Sequence, residues 1–133
     1  IIIDCPPSLS LLTLNGLVSS HYVLVPVQCE YFALEGISHL VTTIETVKRE
    51  LNPDLEIAGI LLTMFDRRTA LNREVVESAR KFFKRLVFHT IVPRNIKLTE
   101  APSHGIPIVL YNSTCAGADA YSELTQEVIE RVK

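Results

Sequence analysis

The sequence predicts an α/β fold, part of a doubly wound and mostly parallel sheet. Two observations carry this. Short apolar runs, Ile1–Ile3, Tyr22–Val27, Ile57–Met64 and Val87–Val92, read as strands buried on both faces. Between them lie longer segments whose apolar residues recur at helical spacing, and that alternation is the signature of βαβ units. At 133 residues the chain is expected to form a single domain, residues 1–133.

The opening strand, Ile1–Asp4, must stop at Pro6-Pro7, because proline cannot continue a ladder. A helix is expected near Leu9–Ser20, with Ser8 as its N-cap. Tyr22–Val27 is a second strand, ending near Pro26 and Gln28. Leu34, Ile37, Leu40, Val41, Ile44, Val47 and Leu51 define an amphipathic helix over Ala33–Leu51, closed by Asn52-Pro53-Asp54. Ile57–Met64 is a third strand. Val75, Val76, Ala79, Phe82, Phe83 and Leu86 mark a helix whose other face is basic. Val87–Val92 is a fourth strand. Pro93–Pro107 reads as a long loop with some helical potential, and Ile108–Leu110 as a short extended piece. Gly117–Lys133 is a closing helix with Tyr121, Leu124, Val128 and Val132 facing inward.

Composition excludes several classes. Hydrophobic residues make up 47% and charged residues 21%, ordinary for a globular protein with a sizeable core. Cys5, Cys29 and Cys115 lie far apart with no CxxC pair, which argues against a zinc site or a disulfide framework and suits a reducing cytosol. No apolar run is long enough to span a bilayer, and no signal peptide is visible. His21, His39, His89 and His104 show no metal-ligand spacing.

The net charge of −2 hides an asymmetry. Residues 67–97 hold nine of the thirteen Lys and Arg against Glu74 and Glu77 alone, a local balance of +7. The remainder has four bases against thirteen acids, or −9. The basic segment is either a face for a polyanion or a solvated helix face. A single-strand stacking platform is not expected of this segment.

Asp4 is the first candidate for chemistry. An acid at the carboxyl end of a central strand stands where α/β sheets place ligands, and there it holds Mg²⁺ directly or through water. The same carboxylate also serves as a loop or helix cap, and the hexapeptide leaves both readings open. Glu30 and Glu35 follow the second strand; an acid at Glu35 also suits a helix N-terminus. Met64, at the end of the third strand, reads by itself as a core residue. Arg94, after the fourth strand, reads by itself as a surface base.

Five segments occur in order: Ile1-Ile2-Ile3-Asp4-Cys5-Pro6-Pro7-Ser8, Val25-Pro26-Val27-Gln28-Cys29-Glu30-Tyr31, Ala33-Leu34-Glu35-Gly36, Val92-Pro93-Arg94-Asn95 and Glu100-Ala101-Pro102-Ser103-His104-Gly105. Together they resemble the ParA/Soj-type partitioning ATPases, a family with a deviant Walker A motif, and the resemblance runs from Ile1 to Lys133. It implies a P-loop NTPase-like domain with ATP and Mg²⁺ as cofactors. The family's Gly-rich phosphate loop is expected upstream of the opening strand. The chain is therefore expected to be a C-terminal portion lacking the N-terminal P-loop unit, and inactive alone.

The resemblance further implies residue roles. Asp4 becomes the Walker B-like catalytic acid, binding Mg²⁺ through water, with Pro6 and Pro7 in a γ-phosphate-sensing loop. Met64, Pro93, Arg94 and Asn95 would border the adenine. Arg68 and Lys97 would contact DNA non-specifically through backbone phosphates, and Glu30 would sit in a loop shared by nucleotide and dimer partner. The implied partners are DNA, a ParB-like centromere-binding protein and a second copy in an ATP-dependent homodimer, with no membrane. The implied location is cytoplasmic and nucleoid-associated. The alternatives are a non-catalytic binding or dimerisation module, and a MinD-like membrane-associated ATPase; the mixed-charge tail Glu123–Lys133 argues against the latter.

Overall fold

The computed structural model describes residues 1–6, 8 and 10–133. Its elements are α1 (Leu11–Val18), β1 (Tyr22–Gln28), α2 (Ala33–Glu50), β2 (Glu56–Phe65), α3 (Ala70–Phe83), a 3-10 turn (Lys84–Leu86), β3 (Val87–Pro93), α4 (Ile96–Ser103), α5 (Ile108–Tyr111) and α6 (Ala116–Arg131). Among the described residues the sheet has three strands in the order β1-β2-β3. Both pairings are parallel. Each strand is followed by a helix that returns the chain to the opposite edge, as parallel pairing demands.

Alternation along β2 divides the core between two faces. Ile60 packs with Leu17, Val25, Ile37, Ile44, Val47 and Leu55, under α1 and α2. Leu62 lies on the same face with Val75, Ala79, Val87 and Cys29, under α3. Leu61 points the other way and meets Phe88, Val92, Ala120 and Leu124 beneath α6. The result is a helix–sheet–helix sandwich. Pro26 is accommodated within β1 because that strand is paired on one side only.

Four expectations change. Ile1–Asp4 is not a strand: the segment pairs with no neighbour, and Ile1 and Ile2 are exposed. Ladder partners define a strand, and an apolar run without them stays irregular. The N-cap of α1 is Ser10, not Ser8; its hydroxyl oxygen accepts from the Thr13 amide, while Ser8 offers its carbonyl to the Thr13 hydroxyl at 2.6 Å. The piece at Ile108–Leu110 is helical and not extended, as α5, while the helical potential of the segment after Pro93 is realised as α4. Pro107, fixed at φ −70°, stands as the N-cap just before α5. In α6, Leu124 is buried, but Tyr121 and Val132 are exposed because β3 and α4 cover only one side of that helix. The part of the expected first helix at Leu9 lies outside the described residues, as does Pro7.

The outer rim of β3 is closed by side chains. The Glu127 carboxylate accepts from the His89 and Thr90 amides at 2.8 and 3.0 Å, and Arg80 donates to the His89 carbonyl at 3.1 Å. At the amino edge of the sheet Arg131 donates to the carbonyls of Ala58, Leu86 and Val87 and to Glu127, with its guanidinium 4.1 Å from the Phe88 ring centroid.

Candidate functional site at the carboxyl edge of the sheet

The three strands end at Gln28, Phe65 and Pro93, so the loops that follow them emerge at one edge. That edge is where open α/β sheets bind ligands. Backbone bonds hold the exits together: the Cys29 amide donates to Thr63 O at 3.0 Å, and the Arg94 amide to Phe65 O at 2.9 Å. Asn72, at the start of α3, accepts from the Asp66 amide at 2.7 Å and donates to the Cys29 carbonyl at 2.7 Å. One side chain thus bolts the β1 exit to the β2 exit. Nothing in the sequence pattern marks this residue. Cys29 is buried, and burial pushes its thiol up to about 11.

Met64 lies at this edge with φ at 55°, in the left-handed region that L-residues seldom adopt. The pairing of β2 with β3 shifts register between Leu62 and Phe65, so the strain sits in a local bulge. The Met64 side chain is 40% exposed, which removes the core reading. Pro93 ends β3 opposite Phe65 and is half-buried. Arg94 is exposed. Asn95 caps α4, its side-chain oxygen accepting from the Lys97 amide at 2.8 Å. The structure brings Met64, Pro93, Arg94 and Asn95 to one edge. Glu30 stands exposed on the loop after β1, beside the edge-to-face pair Tyr31 and Phe32.

Asp4 is placed differently. It is exposed, precedes α1 in irregular chain, and has no hydrogen-bond or ion-pair partner among the described residues. Ser10, which opens α1, faces Thr43 near the middle of α2. The described residues contain no group of three or more His, Cys, Asp or Glu side chains able to hold a metal. A single carboxylate nonetheless suits Mg²⁺, which keeps most of its waters and takes one or two protein carboxylates beside phosphate oxygens.

Arg68 and Lys97 are each engaged with a carboxylate. Arg68 makes a two-pronged contact with Asp66, Nε to Oδ1 at 3.0 Å and Nη2 to Oδ2 at 2.8 Å. That bond and the Arg68 amide hold the Asp66 carboxyl down at about 2. Lys97 Nζ meets Glu100 at 2.8 Å, and the Tyr111 hydroxyl donates to the same carboxylate at 2.9 Å. Through these bonds the Lys97 ammonium is raised, the Glu100 carboxyl lowered and the Tyr111 phenol raised. His104 stacks on Tyr111 with centroids 5.0 Å apart, so the Glu100–Gly105 motif builds a small polar knot between α4 and α5.

Fold and edge define a parallel α/β domain with its loops gathered at a ligand-bearing rim. Comparison with known proteins sharpens this. Residues 1–57 match the AAA domain family. The chain is 55% identical over 128 residues to the sporulation initiation inhibitor protein Soj of Bacillus subtilis, covering 96% of this chain and 51% of that protein. It is 56% identical over 131 residues to the chromosome partitioning protein ParA of Myxococcus xanthus, covering 98% and 46%. Among solved structures it superposes on cobyrinic acid a,c-diamide synthase from Mycobacterium smegmatis with bound ATP analog and magnesium. The TM-score is 0.79 at 35% identity, over 98% of this chain and 47% of that one. The chain spans about half the length of the curated relatives it matches.

The AAA match corrects three linked expectations. The ATPase domain is matched from residue 1, so the chain is not a C-terminal portion set apart from that domain. The fold class is likewise not one that lacks the N-terminal P-loop unit, and inactivity for want of a phosphate loop no longer follows.

Proposed function

We propose that this chain works in an ATP-dependent partitioning protein that binds ATP with Mg²⁺, dimerises in that state, contacts DNA non-specifically and helps to segregate a chromosome or plasmid. One observation carries the reading: identity of 55–56% along 96–98% of the chain to proteins named Soj and ParA. The superposition on an enzyme holding an ATP analog and magnesium supports the cofactors. No helix among the described residues is long and apolar enough to cross a membrane. The protein works on the nucleoid in the cytoplasm, with a ParB-like centromere-binding protein stimulating turnover.

In this reading Asp4 holds Mg²⁺ through a water. When bound, the ion neutralises charge on the transferring phosphoryl group. Met64, Pro93, Arg94 and Asn95 border the adenine, the strained Met64 backbone presenting its thioether to the base. Glu30 faces the nucleotide and the second copy of the chain. Arg68 and Lys97 swing from their carboxylates to DNA phosphates.

The test is Asp4→Ala in the full-length protein. Stimulated ATP turnover should fall on the order of 10²–10³ while equilibrium nucleotide binding falls less. Turnover within about a factor of two of the parent, against that expected loss, would reduce Asp4 to a cap.

A further inference from the structure

The basic segment does not form one surface. α3 carries the chain from the carboxyl edge back to the amino edge of the sheet, a rise of about 21 Å for its length. Arg67, Arg68 and Arg73 stand at its start, with Arg94 and Lys97 near the same edge. Arg80, Lys81, Lys84 and Arg85 stand at its far end. The two groups differ in more than position. In the near group Arg68 and Lys97 are ion-paired while Arg67, Arg73 and Arg94 are not; in the far group all four, Arg80, Lys81, Lys84 and Arg85, are exposed and without a carboxylate partner among the described residues.

The far group is also presented as a crest. Val75 and Ala79 point into the core. Lys81 and Lys84 lie on the opposite side of the helical turn, and Arg85 follows on the 3-10 turn beside them. Arg80 is steadied by its bond to His89 O. Lys84 is held at φ 48° and ψ −119°, a backbone conformation that glycine would adopt at far lower cost. A lysine at a position that favours glycine points to use of its side chain. Cations in a last helical turn are favoured by the helix dipole, but that effect fades within one turn and does not require four of them.

We propose that Lys81, Lys84 and Arg85, with Arg80 beside them, form a second DNA-phosphate contact at the amino end of the sheet, remote from the strand-exit loops. A row of exposed, unpaired cations suits the backbone of a duplex, which offers one negative charge per about 1.7 Å of axis. Phe82, 71% exposed, is the single large apolar side chain in the row, too little apolar surface for a lipid bilayer. The surface reads phosphate and not sequence. This inference rests on the reading of the protein as one that binds DNA.

The experiment is a salt titration of duplex binding by the full-length protein with ATP and Mg²⁺. It compares the parent with the triple variant Lys81→Gln, Lys84→Gln, Arg85→Gln. The slope of log K against log salt should become shallower by roughly 0.9 for each lost contact, between two and three units in all, equally for unrelated sequences. The double variant Lys81→Gln, Arg85→Gln avoids the strained position and should lose about two. The variant Lys81→Arg, Lys84→Arg should keep the parental slope. If the parent binds DNA and the triple variant matches its slope, this surface is overturned while the functional reading stands. A parent that binds no DNA at all overturns both. Loss of binding to phosphatidylglycerol vesicles with DNA binding intact assigns the crest to membrane and also overturns it.

Discussion

Asn72 Nδ2 lies 2.7 Å from the carbonyl oxygen of Cys29, forty-three positions earlier in the chain, and this bond sets the spacing of two strand exits. The same amide accepts from Asp66, so removing it strands two backbone groups at once. Asn72→Ala should destabilise the fold by about 1–3 kcal/mol, the cost of leaving part-buried polar groups unpaired. Urea denaturation measures this. A loss below about 0.5 kcal/mol would show that water replaces the amide at no net cost.

Glu127 gives the protein an acid-sensitive joint. Burial alone would raise its carboxyl, but the Thr90 and His89 amides and the Arg131 guanidinium outweigh that and hold it below its ordinary 4.5. A depressed carboxyl contributes stability that is present above the ordinary value and lost as pH falls through the native one. The parent should therefore lose stability as pH drops below about 4.5, and Glu127→Gln should show a flatter dependence there. Equal slopes in chemical denaturation at several acidic pH values would remove Glu127 from this role.

Asp66 reports on Arg68. Its carboxyl sits at about 2 against an ordinary 3.8, chiefly through the Arg68 side-chain bond. Its contribution to stability is in place above 3.8 and disappears as pH falls through about 2. In Arg68→Ala the midpoint followed by NMR should climb toward 3.8. The same climb on adding duplex DNA to the parent would show Arg68 leaving Asp66 for phosphate.

Gly59 faces a crowded site. A Cβ there would lie 2.6 Å from Phe88 Cε2, 2.7 Å from Arg131 Nη1 and 2.8 Å from the Leu86 carbonyl oxygen. The last is backbone and cannot yield cheaply. Gly59→Ala should cost about 1–3 kcal/mol, the range for overpacking a filled core. A melting temperature equal to the parent's would show that the amino edge relaxes freely.

The thiols should separate by reactivity. Cys29 is buried with its thiol near 11, while Cys5 is exposed. Iodoacetamide at pH 8 should alkylate Cys5 promptly and Cys29 only on unfolding. Mass spectrometry of the native protein resolves the two.

The sequence carried the architecture wherever periodicity was long and clean. Ile37, Ile44 and Val47 on one helix, Ile60–Leu62 on the strand and Val75 and Ala79 on the next helix are buried as their spacing selects, whereas Leu51 and Phe82, selected by the same spacing at the helix ends, are exposed. It failed where partners decide. Ile1–Ile3 has the composition of a strand but no neighbour to pair with, and Ile108–Leu110, just beyond Pro107, forms a helical turn. In the candidate site, strand exits could be read from proline and charge, but the bolt at Asn72 could not, because a single amide has no pattern. The Glu127–Arg131 pair was within reach as an acid four residues before a base on one helix, although its bonds to β3 were not. The AAA match over residues 1–57 has no counterpart in a Gly-rich motif of the chain, so it could not be read from any single motif.

The closed rim of β3 gives the sheet a direction of growth. An edge strand normally invites another backbone to dock along it. Here the middle of that row is already occupied, by a carboxylate on two amides and a guanidinium on a carbonyl. A strand arriving from the same chain or from another molecule meets a sealed border on that flank. Among the described residues the flank of Tyr22–Gln28 alone still offers a ladder, so enlargement of this sheet, orderly or pathological, is one-sided.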